Sequence, residues 1–427
     1  MASSVNSNGQ VHPFANISDI TLESTNHLKT LYANDASPTK VNLMVGVYRT
    51  PEGKPYLFPS VQAAKQRIFA DNSWNFEYPS LQIGSKSFRQ EGIRGIFGEG
   101  WDDRVIATQT NGASGAVHWA GVFLKEHYGP WKDRPDTEKK IYIPEQTWIN
   151  HHHTFHHLHI TTSTLPYLST TTTPGIAPLD FSAFHTAISN LPPQSVILLQ
   201  PIAHNPTGLV PTASQWTTLL RTIKKLGHFI IWDVAYPGFS SGNIFDDLAV
   251  VREYAEAEVP MVVCWTYGKC MGVYSERVGL LLIPMPAGAS KEMRVRIEKQ
   301  VKGIVRAETG ALGGFGGRLV ETVLADAGLK KQWEGELRTV AGELVRRREK
   351  LGASLERLGA KGDWKGLVEG RGFFALLNLT EVQVAMLREK WSVYVLESGR
   401  LSIAGLNDGN VEYVARAIHD VLENTRT

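Results

Sequence analysis

A chain of 427 residues that is 42% hydrophobic and 20% charged holds enough apolar material for a large core, which excludes disorder as the main state and allows two to three domains. A formal net charge of +2 gives no bulk electrostatic pull toward nucleic acid or a membrane surface. Two cysteines, Cys264 and Cys270, exclude a disulfide scaffold and fit a reducing, cytoplasmic compartment.

In chain order, residues 1 to about 12 read as a tail, and MASSVNSNGQ has the features of neither a secretory signal nor a transit peptide. No run approaches the length of a membrane helix. Residues 1–56 precede the first strand-like run and are grouped with a second, smaller lobe. Six short apolar runs then alternate with helix-like stretches: Val105–Ala107, Ile141–Ile143, Val196–Leu199, Phe229–Trp232, Met261–Cys264 and Gly279–Ile283. Continuous apolar runs of this kind belong to strands buried on both faces, and their alternation with helices predicts an α/β fold with a mostly parallel sheet between helices. The last run has the alternative of pairing antiparallel at one point. Between these runs, WINHHHTFHHLHI carries His151, His152, His153, His156, His157 and His159, and 161–180 is a Ser/Thr/Pro-rich connection with room for one short strand. A large domain over 57–328 therefore precedes a linking helix and a smaller α+β domain over 329–427. Apolar residues at Leu337, Val340, Leu344, Leu351, Leu355 and Leu358 predict one long amphipathic helix over 329–358, with Arg346, Arg347 and Arg348 on its solvated face.

In open α/β sheets ligands collect beyond the carboxyl ends of the strands. After the first run comes QTNGASGAVHWAG, where Gly112, Ala113, Ser114 and Gly115 precede a helix-like stretch and form an anion site with its free N–H groups or only a tight turn. After the third comes PIAHNPTG, with Asn205 in a turn; after the fourth WDVAYPGF, where Asp233 follows large apolar residues and needs a partner. After the fifth comes WTYGKCMGVYSERVG, with Lys269 in a glycine-rich loop eight residues before Arg277. A buried lysine loses its charge readily and acts as an amine nucleophile. Each stretch has a purely structural reading. Together they supply an anion cradle, a carboxylate, an amide, a phenol, an amine and a guanidinium at one sheet edge, a set that suits pyridoxal phosphate.

The ordered series VNLMVGVYRTPEGKPYLFPSV, AHNPTG, WDVAYPGFSSG, TYGKCMGVYSERVG and SGRLSIAG resembles the aspartate aminotransferase family of fold-type I pyridoxal-phosphate enzymes, over about Val41 to Val421. The resemblance implies that family's fold and a ping-pong exchange of an amino group between an L-amino acid, acidic or aromatic, and a 2-oxo acid. It makes Lys269 the Schiff-base lysine, Asp233 the partner of the pyridinium nitrogen, Asn205 and Tyr236 the donors to the cofactor's phenolic oxygen, and Arg277 with Gly112, Ala113, Ser114 and Thr266 the phosphate site. Trp148 stacks on the cofactor ring, and His151, three residues on, supports Asp233. Arg400 binds the substrate α-carboxylate and Gly46 closes over it. Tyr78 and Arg306 come from the neighbouring subunit of a homodimer.

The chain departs from the family pattern at several points. Gly-Ala-Ser stands where the family has Ser-Gly-Thr, Thr266 replaces Ser, and Cys270 replaces the Asn after the lysine. The segment after Arg306 reads AETGALGG in place of the family's proline-containing one, which puts Glu308 near Arg306 and leaves the acidic specificity open. Elimination, replacement or decarboxylation on the same cofactor is the alternative reaction. For the remaining histidines, a surface helix is the expectation and a metal is not.

Overall fold

A computed structural model describes residues 12–17, 24–50, 52–78 and 82–425. The tail read over residues 1 to about 12 lies, but for its last residue, outside them. The described residues form eleven strands: β1 Val41–Asn42, β2 Val105–Asn111, β3 Lys140–Pro144, β4 Thr161–Leu165, β5 Val196–Leu199, β6 Phe229–Val234, β7 Met261–Thr266, β8 Val278–Pro284, β9 Phe374–Leu376, β10 Val393–Tyr394 and β11 Arg400–Ser402. Seven of them make the central sheet, in the order β2-β8-β7-β6-β5-β3-β4. All its pairs are parallel except those of β8, which runs antiparallel to both β2 and β7.

All six apolar runs are strands of this sheet, and the alternation of side chains explains why they are apolar throughout. On β6, Ile230, Trp232 and Val234 enter one hydrophobic cluster while Ile231 enters the cluster on the opposite face. On β7, Met261, Val263 and Trp265 face the first cluster, and Val262 and Cys264 the second. Both faces are covered by helices, so neither set of positions tolerates polarity. The seventh strand, β4, reads TTSTL because it buries only its last residue.

Two further strand pairs lie outside the central sheet, and one of them joins the two ends of the chain. β1 pairs in parallel with β10, and β9 pairs with β11. The long helix spans Ala327–Arg357, capped by Asp326, whose carboxylate accepts from the Leu329 N–H. Its apolar stripe is buried at Leu337, Val340, Leu344, Leu351 and Leu355. The three arginines are not one solvated face, however. Arg346 is, pairing with Glu343 and Asp408. Arg347 and Arg348 are 3% and 0% exposed. Arg347 donates to the carbonyls of Ala404 and Arg49 and lies over the Tyr48 ring. Arg348 donates to the carbonyls of Leu367, Arg371, Gly372 and Phe374. Guanidinium burial without a carboxylate is sustained here because several backbone carbonyls replace the lost water.

β8 sets how closely the strand ends approach. A Cβ at Gly279 would stand 2.2 Å from the Trp265 carbonyl oxygen and 2.9 Å from the Gly112 backbone. The obstacles are main chain, so they cannot rotate away. Gly279→Ala is expected to cost about 1–3 kcal/mol through overpacking and to lower the thermal unfolding midpoint by about 1–3 °C. An unchanged midpoint would show that the two strands separate freely.

Candidate active site

The carboxyl ends of β5, β6 and β7, with the turn after β2, surround a cavity of about 190 Å³. Ala113, Ser114, Trp148, Asn205, Asp233, Tyr236, Thr266, Lys269 and Arg277 all line it. Segments far apart in sequence converge because each leaves the same edge of one sheet.

Asp233, near the end of β6, is 4% exposed. Its Oδ2 lies 3.0 Å from His151 Nε2, and its Oδ1 is buried with no partner. His151 is fully buried on the helix Asn150–His157, and its Nδ1 lies 2.8 Å from Thr147 Oγ1. A carboxylate only accepts, so His151 Nε2 carries the hydrogen toward Asp233, and Nδ1 faces the Thr147 hydroxyl. The unmet Oδ1 is the polar atom that a ring N–H inside the cavity would satisfy.

Lys269 follows β7 in the loop that leads to β8. Its Nζ donates to the Gly46 carbonyl at 3.0 Å. Burial, and then the charges of Arg277 and Arg400, bring its pKa down from 10.5 to about 8. Tyr236, 5% exposed, is pushed the other way chiefly by burial, so its phenol stays protonated and remains a donor. Gly46 lies against this phenol: a Cβ there would meet Phe374 at 2.7 Å and the Tyr236 hydroxyl at 3.1 Å.

An anion cradle forms where β2 passes into the helix Gly112–His127. Gly112 has φ +69°, and a Cβ on it would come within 2.9 Å of Arg277 Nη2. Arg277 reaches Ser114 Oγ at 3.4 Å and the Asn111 carbonyl at 3.5 Å. Thr266 Oγ1 accepts from the Gly268 N–H and donates to the Val278 carbonyl, which fixes the start of the lysine loop. Free helix N–H groups, a hydroxyl and a guanidinium facing one point suit a phosphate. The donor set thus fits pyridoxal phosphate: an anion cradle for its phosphate, an unmet carboxylate oxygen for its ring N–H, and an amine for its carbonyl carbon.

On the small-lobe side, Arg400 opens β11. It donates through Nη1 to Asn205 Oδ1 at 3.1 Å and through Nη2 to the Met44 carbonyl at 2.8 Å, with its guanidinium 4.2 Å from the centre of the Phe374 ring. Tyr78 and Arg306 do not line the cavity of their own chain. Tyr78 is 82% exposed, and Arg306 donates only to the Gly310 carbonyl among the described residues. Glu308 does not pair with Arg306. Its Oε2 accepts from His118 Nε2 at 2.9 Å and Trp119 Nε1 at 2.8 Å, both on the helix that opens at Gly112.

Two residues escaped the sequence reading. Tyr274 lines the cavity and accepts from the Tyr48 N–H at 3.1 Å. Its place inside TYGKCMGVYSERVG was the available signal. Gln200 holds the Asn205 backbone, and its signal was a polar residue directly after four buried apolar ones.

The profile of the family described as "Aminotransferase class I and II" matches residues 38–418. The cytoplasmic aspartate aminotransferase of Saccharomyces cerevisiae is 35% identical over 417 residues, covering 96% of this chain and 97% of that protein. The solved structure of aspartate aminotransferase from Saccharomyces cerevisiae cytoplasm superposes with a TM-score of 0.90 at 35% identity, over 97% of this chain and 99% of that one. An aromatic-amino-acid aminotransferase from Burkholderia pseudomallei, solved covalently bound to pyridoxal phosphate, gives 0.89 at 29% identity, over 96% of this chain and 100% of that one.

The depressed lysine pKa has a direct readout. Only the free base attacks a carbonyl, so capture of pyridoxal by the cofactor-free chain, trapped with borohydride and mapped to Lys269, should rise with pH around a midpoint of about 8. A midpoint at the ordinary lysine value would show that the amine is solvated.

Proposed function

The chain belongs to the class I and II aminotransferases, and from that premise we propose that it transfers amino groups between an acidic L-amino acid and a 2-oxo acid on pyridoxal phosphate. The observation that carries the cofactor assignment is the pairing of a buried amine at Lys269 with an unmet buried carboxylate oxygen at Asp233.

In this reading Lys269 would hold the cofactor covalently, and Asp233 Oδ1 would accept from its ring N–H and favour the protonated ring. Gly112, Ala113, Ser114, Thr266 and Arg277 hold the phosphate, and Trp148 covers the ring. Asn205 and Tyr236 donate to the phenolic oxygen. When bound, the cofactor supplies a carbonyl carbon for amine exchange and a ring that withdraws electrons from the substrate α-carbon. Arg400 grips the α-carboxylate with two parallel N–H bonds, and the Gly46 backbone closes over the amino acid. As a free amine, Lys269 Nζ would take the α-proton; a pKa of about 8 leaves it an effective base near neutral pH. Amino acid and 2-oxo acid use one cavity in turn, which makes the kinetics ping-pong.

Acidic donors are favoured by Arg306. Glu308 is held by His118 and Trp119, so the Arg306 guanidinium is not neutralised. Because Arg306 and Tyr78 stand away from their own cavity, they serve a site only in a homodimer. A cleft of about 740 Å³ supports that assembly: it runs between residues 73–78 and 311–318, where Phe76 is 92% exposed and Trp74 packs on Phe315. The compartment is proposed as the cytoplasm, after the yeast relative.

Lys269→Ala should retain no borohydride-fixed cofactor; wild-type levels of fixation would refute the lysine assignment. Arg400→Ala should impair every amino donor, whereas Arg306→Ala should impair acidic donors selectively, by about 2–5 kcal/mol in kcat/KM. Equal losses for aspartate and phenylalanine in Arg306→Ala would make that arginine structural. A fully active monomer by solution mass would overturn the shared site.

A further inference from the structure

Gln200 follows directly on β5 and is 4% exposed. Both halves of its amide engage one residue: Oε1 accepts from the Asn205 N–H at 2.9 Å, and Nε2 donates to the Asn205 carbonyl at 3.0 Å. A side chain that meets both backbone groups of another residue fixes that residue's position and the plane of its Cα–Cβ bond. The Asn205 side chain is then left to the cavity. Its orientation follows from what Arg400 is: a guanidinium only donates, so Asn205 Oδ1 faces Arg400 Nη1, and Nδ2 remains the donor available to a ligand.

We propose that Gln200 is the positioning residue for both ends of the reacting molecule, holding Asn205 so that one amide donates to the cofactor's phenolic oxygen and orients the carboxylate-binding Arg400. This rests on the pyridoxal-phosphate reading of Lys269, Asn205 and Tyr236. Hydrophobic packing at this site requires only length and volume, which methionine supplies. The two hydrogen bonds require a donor and an acceptor side by side, which glutamine supplies and a protonated glutamate also supplies. A donor to the phenolic oxygen favours its charged form and so lowers the pH at which the bound chromophore loses its proton.

The test compares the holoenzymes of wild type, Gln200→Met and Gln200→Glu. In Gln200→Met the midpoint of the visible absorbance change with pH should rise by about one unit, and KM for the 2-oxo acid should rise about 5- to 10-fold through the loosened Arg400. Gln200→Glu keeps the acceptor, and burial favours its protonated, donating form, so it should return both values toward wild type. Wild-type midpoint and KM in Gln200→Met overturn the proposal, as does a variant that loses only thermal stability. Failure of Gln200→Glu to improve on Gln200→Met also overturns it. Absence of any lysine-bound chromophore in wild type would instead sink the cofactor reading on which it rests.

Discussion

A carboxylate at the end of a strand buried on both faces is the constraint around which the site is arranged. Asp233 has left water, and among the described residues only one of its oxygens has a partner. Such a group is costly unless something completes its hydrogen bonding. His151 is itself fully buried and is oriented by Thr147, so the acceptor, the ring and the hydroxyl form one fixed column. β6 lies between β5 and β7 in the sheet. The loop after β5 carries Asn205 and the loop after β7 carries Lys269, and both therefore emerge beside the same carboxylate. Three adjacent parallel strands ending together do most of the positioning, and the loops need only supply the right atoms.

The fold was legible to the extent that burial on two faces enforces apolar runs. β2, β3, β5, β6, β7 and β8 announce themselves for that reason. β4 does not, because only its last residue is buried, so its other positions accept polar side chains. Arg347 and Arg348 were read as solvated since three consecutive arginines ordinarily are. What holds them inside is a set of backbone carbonyls from Ala404, Arg49 and the 367–374 segment, and carbonyls leave no trace in sequence. The same blindness hid Gln200, whose partners are main-chain atoms. It also applied to Glu308: proximity in sequence placed it with Arg306, while the helix geometry turned it toward His118 and Trp119.

The histidine-rich run divides along similar lines. His151 faces inward from its helix to Asp233, whereas His152 turns to Thr162 Oγ1 and ties the helix to the edge strand β4. Partial burial lowers the His152 pKa, with the neighbouring histidines adding to the effect, so it makes that contact as a neutral ring near neutral pH. Among the described residues no group of three or more histidines, cysteines or acids is arranged to hold a metal ion. Composition alone overstated the chemistry of this segment; one ring of the six lies beside the buried carboxylate.

The antiparallel course of β8 has a consequence for how the chain acquires its structure. β2 is the first strand of the sheet in sequence but touches it only through β8, with Val105 opposite Pro284 and Asn111 opposite Val278. The edge that carries Gly112 and Ser114 is therefore incomplete until residue 284 has been made. During synthesis β2 and its following helix emerge early and must wait, with an apolar strand unpaired, while the intervening segments assemble. Pairings of such long sequence separation close slowly, and the waiting surface is exposed to aggregation in the meantime. A ribosome-bound chain that stops short of β8 has β5, β6 and β7 available to pair, yet holds no anion cradle. The anion cradle is thus completed late in the synthesis of this polypeptide, once β8 has closed on β2.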